Sequence, residues 1–119
     1  MHPGDRNDQE YERLAHDFED HLRHGYRYLV RRIGYRAKAF NEMVTMHGGV
    51  GAVQRLLRGR DTSEGFARLW ETNMLQHSVE ASVLRPEYEP LFTDDERATA
   101  RRRLEDHQFD VDGFLRQVG

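Results

Sequence analysis

The chain has 119 residues, of which 37% are hydrophobic and 33% charged, and its formal net charge is -3. That length suits one domain with a modest core, and six Phe, five Tyr and one Trp argue against wholesale disorder. With no cysteine, disulfides, thiolate nucleophiles and zinc-thiolate sites are excluded, and the slight negative charge argues against indiscriminate binding to nucleic acid.

Residues 1–7 hold Pro3 and Gly4 without an apolar pattern and are expected to form a flexible tail, leaving residues 8–119 as a single helical domain. From Asp8 onward, Tyr11, Leu14, Phe18, Leu22, Tyr26, Leu29 and Ile33 recur every three or four positions, which predicts one long amphipathic helix. Gly25 interrupts the pattern at a cost of about 1 kcal/mol against alanine, so a bend is expected there, and Gly34 is the expected end. A second helix turns Phe40, Met43 and Val44 inward and stops at His47, Gly48 and Gly49, because glycine takes positive φ without a Cβ clash. Val50, Val53, Leu56 and Leu57 restart the helical spacing until Gly59.

Asp61, Thr62 and Ser63 then offer capping oxygens to a helix through Phe66, Leu69 and Trp70, with Asn73 at its end. His77 or Ser78 opens a short run of Val79, Ala81, Val83 and Leu84, which closes before Pro86 because proline disfavours helix in the residue preceding it. Between Pro86 and Phe92 a turn or a single helical turn is expected. Thr93 with Glu96 forms a capping box and predicts a helix to His107, and Val111, Phe114, Leu115 and Val118 predict a last short one. No strand pattern appears. The class is all-α, a compact multi-helix bundle of about five to seven helices. Its core is expected to take in Phe18, Leu22, Leu29, Phe40, Val44, Val53, Leu57, Phe66, Leu69, Trp70, Val79, Val83 and Leu104, centred on the stretch His47 to Leu84 and its tryptophan.

The order of HGG, a Leu-Leu pair, GF, LWE, SVE, VL and LFT with an acidic follow-up, between Gly34 and Phe109, resembles a family of small uncharacterised bacterial proteins. The resemblance implies no activity, cofactor or catalytic residue. No segment approaches the roughly 20 apolar residues of a membrane span, and the first ten residues lack the apolar centre of a secretory signal. A soluble, cytoplasmic protein without membrane contact is expected.

Four groups of residues invite a functional reading. Arg23, Arg27, Arg31, Arg32, Arg36 and Lys38 form a basic segment with no acidic residue, interleaved with Tyr26, Tyr28 and Tyr35, as a phosphate-contacting ridge with stacking groups would be. Pairing with Asp17, Glu19 and Asp20 along the helix, and packing of the tyrosines, is the plainer alternative. His16, Asp20 and His24 stand four apart and share a face, a spacing that suits a divalent metal, though a solvated polar face belongs there in any case. The helices around Gly48 and Gly49 are also compatible with a helix-turn-helix order, but Gln54, Arg55 and Arg58 make a sparse reading face.

Glu71, His77, Ser78 and Glu80 form a polar cluster near the aromatic residues, able to serve as acid and base only if they converge. Arg101, Arg102 and Arg103 read as a solvated face among Glu96, Glu105 and Asp106. No catalytic residue and no cofactor is assigned on this basis. The expected function is that of a non-catalytic binding or accessory module, acting through a protein partner or as a homodimer. Nucleic-acid binding through Arg23 to Lys38 is the alternative, and a metal-binding or enzymatic role stands behind both.

Overall fold

The computed structural model describes residues 3–60 and 62–119, with side chains from residue 8 onward. Met1 and His2 of the expected tail, the side chains of residues 3–7, and Asp61 as a capping residue lie outside the described residues. The chain is all-α and multi-helical, with no strand among the described residues. Its helices are α1 (Pro3–Ile33), α2 (Lys38–Arg58), α3 (Glu64–Glu71), α4 (Val79–Leu84), α5 (Asp94–Asp106) and α6 (Val111–Val118), with 3-10 helices at Leu75–His77 and Pro86–Leu91. Two compact units are distinguished, Met1–Ala52 and Val53–Gly119.

In the first unit the helical period of α1 puts Phe18, Leu22 and Leu29 in buried positions. The helix runs uninterrupted through Gly25 and ends where Gly34 turns left-handed at φ 68, its N–H donating to the Val30 carbonyl at 3.0 Å. α2 breaks at Gly48, whose φ of 77 and ψ of 167 suit glycine alone. The helix restarts at once, and the carboxylate of Glu19 on α1 serves the new terminus, accepting the Gly49 N–H at 2.9 Å. A Cβ on Gly49 would lie 3.0 Å from the Glu19 Cα. The two glycines of HGG therefore do different work: one permits the break, the other lets α2 approach the α1 backbone.

In the second unit most helix ends follow local chemistry. Ser63 caps α3 through the Phe66 N–H, Ser78 caps α4 through the Ala81 N–H, and Thr93 with Glu96 makes both bonds of a capping box on α5. α3 closes with Asn73 at φ 59, whose N–H reaches the Trp70 carbonyl at 3.1 Å while the Met74 N–H reaches Leu69 at 2.7 Å. The same pair of bonds closes α5, with Gln108 at φ 59 bonded to Glu105 and Phe109 bonded to Leu104. Arg85 is extended ahead of Pro86, and the PEYEPL segment winds into a 3-10 helix. α4 packs on α5, and Ala81 and Val83 of the former and Ala100 and Leu104 of the latter are fully buried.

Three core expectations are corrected. Trp70 keeps 50% of its surface exposed and is not the centre of the core. At about 100° per residue it lies on the edge of the stripe that Phe66 and Leu69 bury, and its ring instead meets His107 edge-on at a centroid distance of 5.1 Å. In the second unit the largest fully buried side chains are Phe66, Leu104, Val53 and Val83. Phe40 is only half-buried because α2 begins at Lys38 and leaves it in the first turn, while Val79 is half-buried at the start of α4. Phe66, Leu69 and Val83 are buried as expected.

Candidate functional site

The candidate site is the basic segment at the end of α1 and in the connection to α2. Arg27 and Arg31 lie opposite the Phe18, Leu22 and Leu29 stripe, and Arg27, Arg31 and Arg32 are all exposed. Arg36, in the connection after Gly34, and Lys38, the first residue of α2, are exposed as well. From His21 to Asn41 the sequence has no acidic residue. The negative end of the α1 dipole favours Arg31 and Arg32 in its last turn, which accounts for cations there but not for Arg27, Arg36 or Lys38.

The sixth expected member behaves differently. Arg23 is half-buried and its guanidinium meets the Glu19 carboxylate at 3.3 Å, the same group that caps Gly49. Its charge is committed to the junction of α1 and α2. Elsewhere the described ion pairs join Arg85 to Glu87, Arg97 to Glu89, Arg101 to Glu105 and Asp112, and Arg103 to Glu80. None of the ion pairs among the described residues takes in Arg27, Arg31, Arg32, Arg36 or Lys38. Of the three tyrosines, Tyr28 is exposed while Tyr26 and Tyr35 are half-buried.

His16, Asp20 and His24 are exposed along the same helix. Among the described residues no group of three or more His, Cys, Asp or Glu side chains is placed to hold a metal ion. A cleft of about 230 Å³ does open between α1 and the α2 break, lined by Tyr11, Glu12, Ala15, His16 and Glu19 on one side and by residues 47–51 on the other. Its inner carboxylate, Glu19, is already engaged by Arg23 and Gly49.

The polar cluster of Glu71, His77, Ser78 and Glu80 has structural duties. The Ser78 hydroxyl is buried as the α4 cap, and Glu71 is exposed at the end of α3. Partial burial, then the charge of Arg85, lowers the His77 imidazole below its ordinary 6.5, although the residue as a whole remains exposed. Glu80 is 2% exposed and meets Arg103 at 3.4 Å. Arg103 corrects the expectation of a solvated face: it is 7% exposed and donates to the Leu56, Leu57 and Gly59 carbonyls at the end of α2, the last at 2.6 Å. It thus closes a helix terminus and neutralises a buried carboxylate together.

Burial pushes the Glu80 carboxyl above its ordinary 4.5, and a backbone hydrogen bond and then Arg103 draw it back only in part. The folded state then binds the proton more tightly than the unfolded chain, so the contribution of this group is fully present below 4.5 and declines as pH rises through the raised value. Urea unfolding from acid to neutral pH checks this. The stability difference between wild type and Glu80→Gln is expected to fall with rising pH, and a difference independent of pH would contradict it.

Sequence reasoning missed both Arg103 and Glu19. A signal for the first existed: Glu80 sits in VEASVL among residues that are otherwise small or apolar, and a buried carboxylate calls for a cation. Arg103 is next to Leu104 and three residues after Ala100, on the face of α5 that is buried. Comparison with known proteins finds no matching family model, no matching curated protein and no matching solved structure. The functional reading therefore rests on the geometry of these residues.

Proposed function

We propose that this chain is a non-catalytic binding module that holds nucleic acid through Arg27, Arg31, Arg32, Arg36 and Lys38. The supporting observation is that these five cations are exposed and form no ion pair among the described residues, in a chain whose net charge is -3. Segregated cations of this kind meet phosphates, and Arg supplies planar, two-pronged contacts that Lys does not. No cofactor enters this reading. Acid-base chemistry is disfavoured by the duties of Ser78 and Glu80 within the fold.

Binding should weaken steeply with salt, because each neutralised phosphate of duplex DNA releases condensed counterions and contributes roughly 0.9 to the logarithmic slope. Arg31→Gln is expected to lower that slope by about one unit and to leave the helical spectrum unchanged. Fluorescence anisotropy with a labelled oligonucleotide over a salt series tests it. Absence of binding at low salt, or an unchanged slope in the variant, would remove the reading.

A second reading, contact with a protein partner or a second copy, draws on the exposed Trp70 and on the charge asymmetry of α1, whose Asp17, Glu19 and Asp20 precede the acid-free run from Arg23 to Arg32. Tryptophan is common in the central contacts of interfaces. Sedimentation at two salt concentrations separates self-association from the first reading, since a monomer at both leaves no homodimer to explain.

A further inference from the structure

We infer that the basic ridge takes single-stranded rather than duplex nucleic acid, with the exposed ring of Tyr28 as the platform on which a base stacks. This rests on the ridge binding nucleic acid at all. At about 100° per residue, Arg31, Tyr28 and Arg32 fall about 40°, 100° and 140° round α1 from Arg27, so Tyr28 stands between Arg31 and Arg32 on the exposed flank of the helix, beside the face opposite the apolar stripe. Tyr28 keeps 38% of its surface exposed, whereas Tyr26 and Tyr35 are half-buried and Tyr26 falls near the apolar stripe.

An aromatic ring among cations has little to offer a duplex, whose bases are stacked on one another and present only their edges in the grooves. An unpaired strand presents base faces beside its phosphates, and ring and cations then engage one nucleotide together. The chemistry of the segment fits that division. Residues 23–38 contain no Asn, Gln, Ser or Thr, the neutral side chains that read base edges by hydrogen bonding. Affinity from stacking and charge is tolerant of sequence.

The full chain is titrated, at low and at physiological salt, with a short oligothymidylate and with a hairpin duplex of equal charge, each fluorescently labelled. The expected result is tighter binding of the single strand. Tyr28→Leu should weaken that binding by about 5- to 150-fold, the range found when a stacking ring is removed, with duplex binding and the salt slope unaltered. Tyr28→Phe should retain wild-type affinity, since the ring and not the hydroxyl acts. An oligoribonucleotide arm distinguishes RNA from DNA as the preferred strand.

Equal loss on single strand and duplex, or no loss in the leucine variant, would overturn the stacking role while leaving the ridge as a phosphate-binding surface. Preference for the duplex would overturn the single-strand assignment in the same way. Failure of both nucleic acids to bind at low salt would overturn this inference together with the reading on which it rests.

Discussion

Arg103→Met is expected to lower the stability of the fold by about 3–5 kcal/mol, the usual consequence of removing one partner from a buried ion pair. The residue is 7% exposed and Glu80 2%, so neither charge has water to fall back on. Losing the guanidinium leaves a buried carboxylate to be neutralised by a proton and withdraws the donors that serve the Leu56, Leu57 and Gly59 carbonyls. Chemical denaturation measures the loss. The double variant Arg103→Met with Glu80→Leu should recover part of it, because an apolar pair removes the stranded charge, but not all, because the end of α2 still lacks its donors. A single variant as stable as wild type would mean that the pair does not form in solution.

Leu104→Ala is expected to cost about 2–5 kcal/mol, from lost burial together with the cavity left behind. Leu104 on α5 is fully buried, and its carbonyl accepts the Phe109 N–H that closes α5, so neighbouring groups have little freedom to collapse into the space. Trp70→Ala should cost less despite the larger side chain, since half of the tryptophan surface is already in water. Thermal or urea unfolding of the two variants side by side decides the matter. The reverse order would restore Trp70 as the centre of the core. Because Arg103 and Leu104 are adjacent, their combined variant should depart from the sum of the single effects.

Whether a feature was legible in the sequence follows the range of the interaction behind it. Asn73 and the Thr93–Glu96 box act within one helical turn and are read from the sequence at the places where the structure has them, while Ser63 is one of three capping candidates there and Ser78 one of two. The break at Gly48 was legible for the same reason. The close approach at Gly49 was not, because its cause is Glu19, thirty residues earlier. Arg103 looked like one of three solvent-facing arginines, yet its partners lie 23 to 47 residues away. Trp70 was placed at the centre by residue type, whereas the short α3 buries only the stripe of Phe66 and Leu69.

The candidate site divides along the same line. An acid-free basic segment on one helical edge could be read directly, and so could its tyrosines. Which cations were free could not. The structure withdraws Arg23 into a pair with Glu19 and selects Tyr28 from the three tyrosines by exposure, and both distinctions depend on how α1 packs.

The central claim is that the outer face of α1 is a nucleic-acid contact surface, and amide chemical-shift mapping tests it most directly. Isotopically labelled full-length protein is titrated at low salt with a short single-stranded oligonucleotide. Perturbations are expected to concentrate on residues 24–38, with the largest around Tyr28 and Arg31, and to disappear as salt is raised. Shifts centred on Trp70 and His107 or on the cleft at Gly48, or a spectrum that does not change, would contradict the claim.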